Sequence, residues 1–385
     1  MARLGDICIQ ITDGSHNPPM GVEQSNYLML SSKNIDDDYI TLNDPRYLSQ
    51  EDFEAENRRT NIKPNDLLIT IVGTIGRVAI VPNSLTEFCV QRSVAVLKPK
   101  PEIVYNRFLM HYLQSMRPYL EQESRGVAQK GIYLKQLSNL SIILPPLDEQ
   151  RKIAAVLDKV SDLIAKRRQQ LDKLDEMVKS RFIEMFGVYP ANPMGWEIGT
   201  IRDIVTEVRY GSSRPAVDGG KYPYLRMNNI TYGGELDLSD TKRIDIPDNE
   251  LDKCTVRRGD VLFNRTNSKE LVGKTCVYDR DEMMVLAGFV IRIRVKDCIL
   301  PEFLSAFLNT DFSKQMLLGM CKTAIGQANI NAQELQNIGL YLPPVELQRR
   351  FIQFKKETDK SKLAIQKSLE KLEILKKALM QKYFG

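Results

Sequence analysis

The stretch Gln129–Arg151, QKGIYLKQLSNLSIILPPLDEQR, returns at Gln327–Arg349 as QANINAQELQNIGLYLPPVELQR. Nine of 23 positions are identical without a gap, where about one or two would coincide by chance from average residue usage. The same offset lays Phe186-Gly187 on Phe384-Gly385. With small gaps, Asn34-Ile35 matches Asn229-Ile230, Asp66-Leu67-Leu68 matches Asp260-Val261-Leu262, and Phe108-Leu109 matches Phe303-Leu304. The chain is two copies of one unit. Between these anchors the polar positions diverge, the pattern of one scaffold that presents two different surfaces.

Each copy has two parts, which gives four expected segments: a globule over residues 1–147, a helix over 148–187, a second globule over 188–345 and a second helix over 346–385. In the first globule, Leu67–Val81 (LLITIVGTIGRVAIV) is β-branched and broken at Gly73 and Gly76, so it predicts strand, turn, strand. Asn106–Arg117 has helical spacing, and Leu140–Leu144 predicts a last strand stopped by Pro145-Pro146.

The two connecting segments carry a heptad seam. In the first, Ile153, Leu157, Val160, Ile164, Leu171, Leu174, Val178 and Met185 are spaced by three, four or seven, and neither Gly nor Pro intervenes before Gly187. At about 1.5 Å per residue such a helix is roughly 60 Å long. In the second, Phe351, Ile365, Leu369, Leu372, Leu379 and Tyr383 hold the seam, which Lys355, Lys362 and Lys376 weaken. A narrow apolar stripe must be buried, and the other helix is its one partner of equal length. The expected fold class is therefore mixed α+β: two repeated α/β globules separated by a pair of long antiparallel coiled-coil helices. Antiparallel pairing places two related units about a pseudo-two-fold axis.

Composition narrows the function classes. With 385 residues and 43% hydrophobic content, two or more cores can be buried. No window of about 18 uncharged apolar residues is present to span a bilayer, and the first residues lack the apolar run of a secretory signal, so a cytoplasmic protein is expected. Cys8, Cys89, Cys254, Cys276, Cys298 and Cys321 stand singly, without metal or redox spacing, and His16 and His111 are the only histidines. The net charge of +5 is unevenly distributed: residues 148–187 carry nine basic and eight acidic side chains, residues 346–385 eleven and five. The globules are thus slightly acidic in bulk, and any contact they make with phosphate must come from local clusters.

This arrangement closely resembles the specificity subunits of type I restriction-modification enzymes. The resemblance covers essentially the whole chain and rests on LPPLDEQRKIAAVLDKV (Leu144–Val160), LPPVELQRRF (Leu342–Phe351), GTIGR (Gly73–Arg77) and Gly195-Trp196-Glu197-Ile198 leading to Asp203-Ile204, which matches Asp6-Ile7. The second copy departs from GTIGR, with NRTNSKELVGK at Asn264–Lys274. The resemblance implies a non-catalytic subunit of a bacterial defence complex whose two modules, the target recognition domains, each read half of a split DNA target. The helices would set the unread spacer and dock two methyltransferase subunits, which a motor-nuclease subunit joins. S-adenosylmethionine, ATP and magnesium would belong to those partners, with no cofactor in this chain. The alternatives are a self-contained DNA modification enzyme and a coiled-coil adaptor with no DNA role.

Four motifs imitate catalysis. Asn17-Pro18-Pro19-Met20 approximates the Asn-Pro-Pro-aromatic grip on a flipped base, but Met20 offers no stacking ring. Gly273-Lys274-Thr275 ends like a phosphate-binding loop, yet Ser268 stands where that motif requires Gly. Asp36-Asp37-Asp38 reads as a solvated turn, and Pro247-Asp248 lacks the separated Glu-x-Lys of a nuclease. Base reading needs Arg or Lys for guanine, Asn or Gln for adenine, and Ser or Thr for either. The candidates in the first module are Ser15, His16, Lys33, Asn34, Arg77, Gln91, Arg92, Gln129 and Lys130. In the second they are Ser213, Arg214, Arg226, Asn228, Asn229, Arg265, Asn267, Lys269 and Gln327. Asn34 and Asn229 match between the copies, which suits a turn cap or a phosphate grip better than base reading.

Overall fold

Leu67–Thr70 is a strand with all four side chains buried, and the reason is a sheet covered on both faces. The computed structural model describes residues 1–124, 131–324 and 327–385, in two compact units: residues 1–169 with 366–385, and residues 170–365. In the first unit an antiparallel four-stranded sheet runs in the order Cys8–Asp13, Val94–Pro99, Leu67–Thr70, Val78–Ile80. Leu67, Ile69, Ala95 and Leu97 share one cluster with the helix Asn106–Ser115 and the start of the first long helix. Leu68, Val94 and Val96 pack on the other side with Leu30, Phe88 and Val90 of a three-stranded sheet. Successive strand residues face opposite ways, so the unbroken apolar run feeds two cores at once.

The second unit repeats the plan. Its four-stranded sheet runs Val205–Tyr210, Val290–Val295, Val261–Asn264, Thr275–Val277. Val261, Phe263, Ile291 and Ile293 face the helical side, while Leu262, Cys276 and Val290 face the second sheet. In both units that second sheet contains a parallel pair, Tyr27–Leu30 with Phe88–Val90 and Tyr222–Leu225 with Met284–Leu286. The duplication read from the anchors is thus a duplication of topology.

The two long helices span Leu147–Phe186 and Val345–Phe384, and each gives one half to each unit. In the first unit Arg168 pairs with Glu373 at 2.8 Å, while Ile153 and Leu157 share a core with Leu379, Tyr383 and Phe384. In the second, Lys362 pairs with Asp175, and the Phe182 ring lies 5.2 Å from that of Phe351. Residue numbers rise along one helix as they fall along the other, so the expected antiparallel pairing holds within each unit. The seam lysines are half-buried and each has an acid: Lys355 with Asp359, Lys362 with Asp175 and Lys376 with Asp38.

The Gln-Arg pair after Pro-Pro acquires a role that its sequence context did not reveal. Gln150 is buried, accepts from the Tyr105 amide at 2.8 Å and donates to the carbonyls of Ile103 and Pro145 at 3.1 and 2.9 Å. Gln348 does the same for Leu300, Cys298 and Pro343 at 2.8, 3.2 and 2.8 Å. Each glutamine staples the base of a long helix to the loop that opens the shorter helix of its module. Gln150→Ala leaves buried backbone groups unpaired, at about 1–3 kcal/mol each, so a loss of about 3 kcal/mol in the stability of the first unit is expected. Urea unfolding of this variant beside the exposed neighbour Arg151→Ala, expected within about 0.5 kcal/mol of wild type, checks it.

A second fastening ties the first helix to its module. Asp158 accepts from Arg107 at 2.5 and 2.7 Å and bonds the fully buried His111 at 2.7 Å. Burial alone would raise the Asp158 carboxyl, but these bonds outweigh it and hold the group down at about 2. Among the described residues, no helix is long and apolar enough to cross a membrane.

Candidate nucleic-acid interface

In the first module four strand ends converge on one edge. The Ser15 amide donates to the Val90 carbonyl and the Arg92 amide to that of Ser15, both at 2.9 Å. The Gln91 amide reaches Leu30, and the Ile71 amide reaches Ser93, again at 2.9 Å. Ser93 Oγ accepts from the Ser32 amide at 3.1 Å. The approach is so close at Gly14 that a β-carbon there would lie 1.8 Å from the Val90 carbonyl oxygen, which only glycine permits. Ser15, His16, Lys33, Gln91 and Arg92 are thereby gathered on one rigid platform.

His16 is exposed and bonds Asp13 at 2.9 Å, and Asp13 also holds Arg59 at 2.6 Å, so the imidazole is oriented from behind. Arg92 is exposed and has no side-chain partner among the described residues. Lys33 pairs with Asp44 at 2.6 Å, and Arg77 with Asp36 at 2.7 Å. The Lys33–Asp44 pair is exposed, and such pairs contribute only about 0–1 kcal/mol, so exchanging its carboxylate for a phosphate costs little; Arg77 and Asp36 are half-buried. Gln129 and Lys130 lie outside the described residues, as does the side chain of Gln327.

The second module builds the same edge from different side chains. The Ser212 amide donates to Leu286 at 2.7 Å, the Ala287 amide to Leu225 at 2.9 Å and the Arg265 amide to Phe289 at 3.0 Å. Gly211 repeats the close approach of Gly14. These bonds align Ser15 with Ser212, so Ser213 stands opposite His16. They also set Gln91 against Ala287, Arg92 against Gly288 and Ser93 against Phe289, and the capped turns set Lys33 against Asn228. Asn267 lies in the short strand Thr266–Asn267, paired with Ala328, and Lys269 in the turn that follows it, before the strand starting at Thr275.

The turn-cap reading of Asn34 and Asn229 holds here, and two other readings are sharpened. Asn34 and Asn229 are buried; each side-chain oxygen accepts the cap amide, Ser31 or Arg226, and each amino group donates to two carbonyls of the following turn. They fasten that turn and have nothing left for a base. Arg265 is drawn inward, its guanidinium 4.7 Å from the Tyr210 ring centre and bonded to Asn329 and to the Gly288 carbonyl. The departure from GTIGR is an insertion: Gly76 donates back to Thr70 across residues 71–75, and Gly273 to Asn264 across residues 265–272. Lys274 is therefore the counterpart of Arg77. Its ammonium is buried, which lowers its pKa, and it donates to the Met227 carbonyl at 3.0 Å, so Gly273-Lys274-Thr275 serves a turn.

Two candidates in the second module are paired at the surface, Arg214 with Glu250 at 2.8 Å and Arg226 with Asp240 at 2.9 Å. Of the Asn17-Pro18-Pro19-Met20 segment, Pro18, Pro19 and Met20 line a shallow hollow with Arg46 and Tyr47, and Arg46 donates to the Pro19 carbonyl at 2.8 Å.

Residues 24–175 and 193–376 match the model of the type I restriction modification DNA specificity domain. The chain belongs to that family. It is similar to the type I restriction enzyme EcoKI specificity subunit of Escherichia coli K12, with 24% identity over 75% of this chain and 67% of that one. The MjaVIII specificity subunit of Methanocaldococcus jannaschii shares 24% identity over 84% of this chain and 79% of its own length. A solved chain from a study of complex assembly in a type I restriction-modification system shares the fold, with a TM-score of 0.57 at 20% identity, covering 100% of this chain and 96% of that one. Within the DNA specificity family, the chain is a specificity subunit of type I restriction-modification systems and a non-catalytic component of them.

Proposed function

We propose that this specificity subunit reads a bipartite DNA target, each module contacting one half-site through the edge where its strand ends meet. One observation carries the reading: the two edges share the same backbone bonds, yet Gln91, Arg92, Lys33 and His16 of one are replaced by Ala287, Gly288, Asn228 and Ser213 in the other. A shared frame with exchanged donors and acceptors suits two different base sequences. The long helices set the unread spacer and offer surface to two methyltransferase subunits, around which motor-nuclease subunits join. S-adenosylmethionine, ATP and magnesium act in those partners, and this chain binds none of them. Asn228, Lys269, His16 and Arg92 have the exposure needed to reach DNA.

Methyl transfer to duplex DNA tests the division of labour. The purified chain alone is expected to transfer nothing; mixed with its methyltransferase partner and S-adenosylmethionine it should direct modification to one split sequence. Turnover by the chain alone, or modification by the partner with unchanged sequence choice when the chain is omitted, defeats the proposal.

A further inference from the structure

The chain holds thirteen phenylalanines, and Phe289 alone is exposed, at 51%. Single exposed apolar residues are ordinary on protein surfaces, so its exposure would mean little without its position. Phe289 sits in the converging edge of the second module, on the tight link between Met284–Leu286 and Val290–Val295. That link is fixed on both sides: the Gly288 amide donates to Ser212 at 2.7 Å, the Val290 amide to Ala287 at 2.9 Å, and the Phe289 carbonyl accepts from Arg265 at 3.0 Å. Arg265, stacked by Tyr210, adds a bond from its guanidinium to the Gly288 carbonyl. The counterpart in the first module, Ser93, turns its hydroxyl inward to the Ser32 amide.

We propose that Phe289 is the aromatic contact of the second module, stacking on a base of its half-site, with Arg265 and Tyr210 as the positioning residues behind it. The inference rests on the reading of this edge as the DNA interface. A ring on a pre-fixed backbone pays little ordering entropy on binding, and in a duplex it reaches a base face by wedging into a base step that it partly unstacks. Where the first module presents donors, Gln91 and Arg92, the second presents Ala287 and Gly288, which carry no side-chain polar group; the ring supplies the contact that the donors do not.

The test uses the full chain with its methyltransferase partner and a duplex of the mapped target sequence carrying 2-aminopurine in the second half-site. Phe289→Ala is expected to weaken binding roughly 10-fold, the gain of one stacked ring less the unstacking of its base step, and to abolish the 2-aminopurine response. Phe289→Trp should retain both. Thermal unfolding of each variant should match wild type, since an exposed side chain is replaced. If Phe289→Ala binds as wild type while the double variant Asn228→Ala, Lys269→Ala binds weakly, the aromatic contact is wrong and the interface stands. If all three bind as wild type, the interface reading falls and the inference with it. Equal loss in Phe289→Ala and Phe289→Trp, with unfolding unchanged, also overturns stacking.

Discussion

Replacing residues 188–345 with the corresponding segment of another specificity subunit is expected to change one half of the modified sequence and leave the other half as it was. The physical basis is the independence of the two edges. Each is held by backbone bonds among strands of its own unit, and each four-stranded sheet lies between cores made of residues from its own unit. The swap boundaries matter. Gln348 staples Val345–Phe384 to the carbonyl of Cys298 and the amide of Leu300, so the donor segment must present a compatible loop there. At the other end, Phe182 and Phe186 pack on Phe303 and Phe351, and the donor must supply an aromatic or large apolar residue at 303. Methylome sequencing of a host carrying the chimaera with its partner subunits reads the outcome. Loss of both half-sites together, with the chimaera folded, would show that the modules do not read independently.

What could be read in the sequence was what repeats or has a period. The Pro-Pro-led segments gave away the duplication because identical residues at one offset leave few alternatives, and the heptad seams gave away the helices because apolar residues at three and four fall on one face. Contacts between distant residues were hidden. Gln150 bonds Tyr105 and Ile103, more than forty positions earlier, and nothing local distinguishes it from a solvated glutamine in a first helical turn. The reading residues were partly legible for the same reason. Asn34 and Asn229 betrayed a structural role by matching between copies, whereas Arg265 looked like a reader until Tyr210 was seen beneath it. Phe289 escaped notice because it directly precedes the apolar strand Val290–Val295 and so reads as part of a core. The available signal was its neighbour Gly288, which breaks the strand pattern, together with the polar Ser93 at the matching place. Lys274 as the counterpart of Arg77 was obscured by the longer loop before it.

Lengthening both long helices by four residues is expected to move recognition to a longer spacer while both half-site sequences stay the same. The insertions belong between the helix-to-helix ion pairs of the two units, Arg168–Glu373 and Asp175–Lys362: after Lys173 in the first helix, and between Lys362 and Glu373 in the second. Inserting in one helix alone would set the antiparallel seam out of register, because the residues on either side of the cut would then meet the wrong partners. Inserting in both keeps Phe182 facing Phe351 in one unit and Leu157 clustered with Leu379 in the other. Four residues add about 6 Å and slightly more than one turn, so the apolar stripe returns to nearly the same face with a small overshoot. On duplex DNA, with a turn of about 34 Å per ten base pairs, 6 Å is close to two base-pair steps. The expected result is modification at sites whose spacer is longer by one or two base pairs, with the original sites left unmodified. The measurement is genome-wide mapping of modified positions in a host carrying the lengthened chain. Retention of the original spacer by a folded, active complex would mean that the helices do not set it, and the distance between half-sites would then have to be fixed by the partner subunits.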